Sequence, residues 1–163
     1  MDDLEKEKVI KSYEVYLRED NTPYLKETTA YTVDIDSGQQ YNSPDLLYKL
    51  GRKMNMHYLA TEKLFLLMMN AKNNLIAMSE VSHGAVSGTI ISSREICQTA
   101  LLAGAVNVAL IHNHPSGDPT ESMDDVINTK KTREALNLVG ICLLDHVIVG
   151  RDNYVSLHEK GLF

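Results

Sequence analysis

Apolar positions recur with two different spacings along this chain, and the change from one to the other marks its elements. LFLLMM (64–69) is apolar at every position, and LIAMSEV (75–81) follows after the polar break NAKNN. A short run that is apolar on both faces reads as a central strand, so the pair predicts a hairpin inside a sheet. VNVALIH (106–112), ICLLDHVIVG (141–150) and YVSLH (154–158) read as further strands, the last two joined by an RDN turn.

Between these runs the spacing becomes helical. Ser43 and Pro44 suit the N-cap and first position of a helix whose apolar members are Leu46, Leu47, Leu50 and Met54. Ser92 and Glu95 form a capping-box pattern ahead of Ile96, Cys97, Ala100 and Leu101, with Gly104 as the stop. A third helix is expected from about Ser122 to Leu138, closed by Gly140. Strands and helices alternate, which predicts an α/β fold with a mixed β-sheet covered by helices.

The pattern differs before residue 42. Asp3 to Asp20 is rich in charge and carries Val9, Ile10, Tyr13, Val15, Tyr16 and Leu17 at an imperfect helical spacing, whereas TTAYTVDI (28–35) reads as a strand. Residues 1–42 are therefore read as an N-terminal extension and 43–163 as the main domain. Four tyrosines in the extension, Tyr13, Tyr16, Tyr24 and Tyr31, suit either a docking surface or burial against the domain.

Composition narrows the classes. With 163 residues and 44% of them apolar, one domain with an ordinary core is expected. A net charge of −6 opposes broad attachment to nucleic acid or to anionic membranes, and no apolar run approaches a membrane span. Lys130, Lys131 and Arg133 are too short a basic cluster to reverse this and read as a solvated helix face. Cys97 and Cys142 lie in apolar contexts without metal-type spacing, so they read as buried free thiols in a reducing, cytoplasmic setting. His57, His83 and His158 are isolated and read as surface or hydrogen-bonded residues.

The chemistry concentrates in IHNHPSGDPTESMDD (111–125). If the strand continues into this segment, its period of two puts His112 and His114 on one face. Pro115, Gly117, Asp118 and Pro119 turn the chain, so the following helix can bring Asp125, in its first turn, back over the strand end. Two imidazoles and a carboxylate suit Zn²⁺, and three protein ligands leave a fourth position for water. Ser122 can cap the helix and also steady a developing oxyanion. A metal-free account, with histidines bonded to backbone and Ser122 and Asp125 as a capping pair, fits each residue singly but not their convergence. Asp145 and His146 follow one another in a strand, so one is expected to face inward and one outward, with a supporting role toward a ligand open to either.

The set His112-Asn113-His114-Pro115, then Ser122 and Asp125, resembles the JAMM motif of the JAB/MPN metalloprotease superfamily. With LLDHVIVG and YVSL downstream, the chain from about Ser43 to Phe163 is similar to the RadC branch. The resemblance implies a cytidine-deaminase-like α/β fold, zinc held by His112, His114 and Asp125, and a glutamate acting as general base from an early strand. Glu62, just before LFLLMM, matches that place; Glu80 is the competitor, better explained as a polar residue near a strand end. Hydrolysis of a peptide or isopeptide bond is implied, with a protein or peptide substrate of which a ubiquitin-like conjugate is one candidate.

The alternative that the resemblance carries is a DNA-repair-associated accessory protein with a non-catalytic metal site. Residues 1–42 lack the glycine-centred hairpin of the DNA-binding module that often precedes this domain, which weakens that alternative. Glu121 stands where proline is common, on a solvated turn away from the ligands.

Overall fold

A computed structural model describes residues 7–83 and 92–163. Seven strands, β1 (Glu7–Leu17), β2 (Pro23–Asp36), β3 (Lys63–Met69), β4 (Leu75–His83), β5 (Asn107–Asn113), β6 (Cys142–Val149) and β7 (Tyr154–Ser156), form one sheet in the order β2-β1-β4-β3-β5-β6-β7. The β5–β6 and β1–β4 pairs are parallel and the rest antiparallel, so the sheet is mixed. Helix α1 (Pro44–Lys53) covers one face; α2 (Ser93–Leu102) and α3 (Met123–Leu138) cover the other. The expected α/β architecture is present.

Strand β3 explains why both faces carry a core. Leu64, Leu66 and Met68 pack with Ile96 and Ala100 of α2 and Leu136 of α3, while Phe65, Leu67 and Met69 pack with Leu47 and Leu50 of α1. The all-apolar run is thus a strand with helices above and below. Strand β5 continues the pattern, and its alternation puts Val108, Leu110 and then His112 on the side of α2 and α3.

The helix starts lie where the caps predicted. Ser92 Oγ accepts from the Glu95 N–H at 3.3 Å, and Ser43 precedes Pro44 as N-cap without a side-chain bond to the helix. Leu101, expected inside, is 53% exposed, because the buried stripe of α2 runs through Ile96, Thr99 and Ala100 and Leu101 falls on the other side of the helix.

The helix-like reading of Asp3 to Asp20 is overturned: its described part, from Glu7, is the strand β1 and its turn. β1 and β2 form an antiparallel hairpin whose turn is closed by Asn21 at φ 63° and by the Arg18 N–H donating to the Thr22 carbonyl. Ile10 and Ser12 face inward, and Val9 and Lys11 face out. Ser12 interrupts the inward apolar series, and a register shift between Lys11 and Ser12 breaks the alternation there, which hid the strand periodicity. The hairpin joins the sheet through Ser12 opposite Met78. Of the extension's tyrosines, Tyr13 and Tyr24 are half-buried and Tyr16 is 41% exposed; the Tyr31 side chain lies outside the described residues.

Cys142 is exposed at the start of β6, which corrects the expectation of a buried thiol; Cys97 is half-buried. Asp145 and His146 are both buried, at 4% and 0% exposure, rather than one in and one out. With helices on both faces of β6 and β7 beside it, neither direction leads to solvent. No helix among the described residues is long and apolar enough to cross a membrane.

Candidate metal centre

His112 is the next-to-last residue of β5, whose buried run continues through Asn113, and His114 follows just past the strand, where Pro115 cannot continue the ladder. The turn that follows is closely fitted. Gly117 has φ 84°, its N–H donates to the His114 carbonyl and its carbonyl accepts from the Arg151 N–H. A Cβ on Gly150 would stand 2.7 Å from Pro119 Cδ and 2.8 Å from the Gly117 carbonyl oxygen, so only glycine lets the two turns pack.

The turn leads into α3, whose N-terminus is a full capping box. Ser122 Oγ accepts from the Asp125 N–H at 3.1 Å, and the Ser122 N–H donates to Asp125 Oδ2 at 2.8 Å. The Ser122 hydroxyl donates its own proton to the same carboxylate oxygen at 2.7 Å. The capping pair and the convergence on the histidines therefore coexist, because Asp125 uses Oδ2 for the cap and turns its carboxylate toward the strand end.

Three donor atoms meet there. His112 Nε2 lies 3.0 Å from His114 Nε2 and 3.4 Å from Asp125 Oδ1, and His114 Nε2 lies 3.6 Å from Asp125 Oδ2. Zinc bonds of about 2.0–2.1 Å in a tetrahedron place ligand atoms about 3.3 Å apart, and these separations straddle that value. Among the described residues this is the group of His, Cys, Asp and Glu side chains able to hold a metal ion. The donor set fits zinc: two nitrogens and one carboxylate, with no thiolate closing a fourth position.

Electrostatics agree. Burial pushes His112 well below its ordinary 6.5, reinforced by the neighbouring His146, so it is a neutral imidazole. His114 is raised, first by its hydrogen bond to Asp125, with the Asp118 carbonyl and the charges of Asp125 and Glu62 adding to this against burial. Burial opposes the charge on Asp125, yet His114, His112 and Ser122 together outweigh it and hold the carboxyl well below the usual range. The pocket favours a positive charge between its three donors, whether a proton or a metal ion.

Glu62 immediately precedes β3. Leu64 pairs with His112 as the last pair of the antiparallel ladder, and Glu62 and His114 each follow two residues beyond it. Its charge is felt by His114. Glu80, by contrast, sits within β4 and is ion-paired to Lys63 Nζ at 3.1 Å, with 8% of its side chain exposed.

Two residues near the site carry no mark in the sequence pattern. Asn113 points to the opposite face from the histidines; its Oδ1 accepts from the Lys63 N–H at 2.9 Å and its Nδ2 donates to the Thr61 carbonyl at 3.1 Å, clamping the backbone on both sides of Glu62. Thr129 lies behind His112 together with His146, whose Nε2 is 2.7 Å from His112 Nδ1. Of the adjacent pair in β6, it is thus His146 that touches His112. Asp145 instead accepts from the His146 N–H, the Ser156 hydroxyl and the His158 N–H, tying β6 to β7. The spacing HNHP flags Asn113 only as the residue between two ligands, and nothing in sequence links Thr129 to His146.

Elsewhere, Lys130 and Lys131 are exposed on α3, whereas Arg133 folds over the Phe163 ring at 5.7 Å. Glu121 is ion-paired to Lys160 and so anchors the turn to the C-terminal segment. His57 stacks on Tyr58 with ring centroids 4.0 Å apart and His158 is exposed, both apart from the site; the His83 side chain lies outside the described residues.

Similarity to known proteins covers the part of the chain that carries the site. A UPF0758 protein of Caldanaerobacter subterraneus subsp. tengcongensis is 44% identical over 108 residues, 66% of this chain and 46% of the relative. One from Listeria monocytogenes serotype 4b is 43% identical over 106 residues, 65% of this chain and 47% of its own length, and one from Clostridium novyi is 41% identical over 107 residues, with 66% and 47% covered. The chain spans about half the length of the curated relatives it matches. Residues 41–162 match the sequence profile of the RadC-like JAB domain, and the chain belongs to that family.

Proposed function

We propose that this domain is a zinc-dependent hydrolase that cleaves a peptide or isopeptide bond. The observation that carries the reading is the convergence of His112 Nε2, His114 Nε2 and the Asp125 carboxylate at 3.0 to 3.6 Å. When bound, zinc would supply Lewis acidity and lower the pKa of a water molecule to about 7.

The chain's own residues would do the rest. His112, His114 and Asp125 hold the ion, and the Ser122 cap keeps the Asp125 carboxylate aimed at it. Glu62, whose charge acts on His114, takes the proton from the attacking water and returns it to the leaving nitrogen. The Ser122 hydroxyl donates to Asp125 in this arrangement, so its support of an oxyanion would require the hydroxyl to turn toward substrate. The acidic balance, the Phe163-bound Arg133 and the two remaining lysines give no support to a nucleic-acid surface.

The test is metal analysis of protein purified without a histidine tag, joined to hydrolysis assays on peptide and ubiquitin-like isopeptide conjugates. Near-stoichiometric zinc, lost in His112→Ala, is expected, with cleavage that disappears in Glu62→Gln. Wild-type protein that neither retains nor rebinds zinc would remove the proposal.

A further inference from the structure

We infer that Thr129 and His146 are positioning residues that lock His112 in the tautomer protonated at Nδ1, so that its bare Nε2 is presented to the metal. The inference rests on the zinc-site reading above. It follows from counting protons along one buried chain of contacts.

Thr129 Oγ1 has a single proton. The Asp125 main-chain carbonyl, 2.5 Å away, can only accept, so the hydroxyl donates there. Toward His146 Nδ1, 2.6 Å away, Thr129 Oγ1 is then an acceptor, and Nδ1 must carry a hydrogen. His146 is fully buried, with its two ring nitrogens set against Thr129 Oγ1 and His112 Nδ1, so it is a neutral imidazole, which has one N–H only. His146 Nε2 is therefore bare. His112 Nδ1 lies 2.7 Å from it, and two lone pairs at that distance would repel, so His112 Nδ1 donates. That leaves His112 Nε2 unprotonated, facing His114 and Asp125.

His112, Thr129 and His146 are 2%, 0% and 0% exposed, so water does not substitute for any link. The network closes on itself: Asp125 starts it with its carbonyl and meets its far end with its carboxylate. Reversing the direction at Thr129 would put a proton on His112 Nε2, in the metal's place. A neutral imidazole ligand whose other nitrogen is held by a fixed partner is the arrangement that tightens metal sites. His114 Nδ1 donates to the Asp118 carbonyl at 2.8 Å, and the positive charge held between the donors, a proton or a metal ion, offsets the lone pairs of the two Nε2 atoms 3.0 Å apart.

Two measurements test this. Long-range proton–nitrogen NMR of the metal-free protein, labelled at histidine nitrogens, reads the tautomer directly; His112 is expected with a protonated Nδ1 and a bare Nε2. Zinc affinity, measured by competition with a chelating dye, is expected to fall about 10- to 100-fold in His146→Leu and Thr129→Val. His146→Gln, whose amide oxygen can accept from His112 Nδ1, should recover most of that loss. Metal-free wild type with His112 protonated at Nε2, or a folded His146→Leu that binds zinc as tightly as wild type, overturns the inference. If His146→Leu does not fold, the near-isosteric Thr129→Val and the wild-type spectrum still decide. If wild type binds no zinc, the hydrolase proposal fails while the spectrum still rules on the tautomer.

Discussion

Leu64 stands opposite His112 as the last pair of the β3–β5 ladder, with Glu62 and His114 each two residues beyond it. Two residues widely separated in sequence thereby come near enough for the charge of Glu62, the candidate base, to act on His114. Glu62→Gln should retain zinc and lose activity by about 10²- to 10⁴-fold, the range of a general base. Glu80→Gln, which breaks the Lys63 ion pair at 3.1 Å, should leave turnover near wild type. Steady-state kinetics with metal analysis checks both, and the opposite ranking would transfer the base role to Glu80.

Asn113 supports the same geometry from behind. Asn113→Leu removes the bonds that hold the Lys63 N–H and the Thr61 carbonyl, at 2.9 and 3.1 Å. It should lower kcat while zinc content stays near wild type, because the ligands themselves do not depend on those bonds. Leaving a buried N–H unsatisfied costs about 1–3 kcal/mol, which a denaturant titration would register.

Acid should destabilise the metal-free protein. His146 is held neutral by burial down to about 4 against an ordinary 6.5, and His112 is lowered by the same cause. The unfolded chain takes up these protons first, so stability falls as pH drops below 6.5 and levels off below the folded values. For His146 alone the difference corresponds to about 3 kcal/mol between pH 6.5 and 4. His114, raised by Asp125, acts in the opposite sense: its contribution is present at low pH and is lost as pH rises through its folded value. Thermal melts across this range should show net loss of stability toward pH 4, flattened in His146→Gln.

The turn between the ligands should be intolerant of one methyl group. Gly150→Ala would place Cβ 2.7 Å from Pro119 and 2.8 Å from the Gly117 carbonyl oxygen. Backbone must move to relieve this, at a cost of about 1–3 kcal/mol, and the movement shifts His114. A lower Tm together with weaker zinc binding is expected, and a variant with wild-type values of both would show that the two turns are not coupled.

Ser122→Ala tests the cap. Removing an N-cap hydroxyl costs about 1 kcal/mol of stability, and here it also frees Asp125 Oδ2 from the 2.7 Å bond that aims it. Zinc affinity should drop several-fold along with Tm. Loss of stability alone would mean that the backbone bond to Asp125 suffices to orient the ligand.

How much of this could be read in advance depended on the range of the interactions involved. The strand LFLLMM, the helix starts at Ser43, Ser92 and Ser122, and the triplet His112, His114 and Asp125 are written in local patterns: a period of two, a cap, a turn. Each is set within a few residues, so sequence alone determined them. TTAYTVDI was legible as part of β2, but β1 was misread because its inward series passes through Ser12 and a register shift, and only pairing with β2 and β4 satisfies that serine. The burial of both Asp145 and His146, the link from Thr129 to His146, and the clamp of Asn113 around Glu62 were decided by tertiary structure. They join residues up to about fifty positions apart across neighbouring strands and a helix, and no local pattern encodes which side chains a covered sheet brings together.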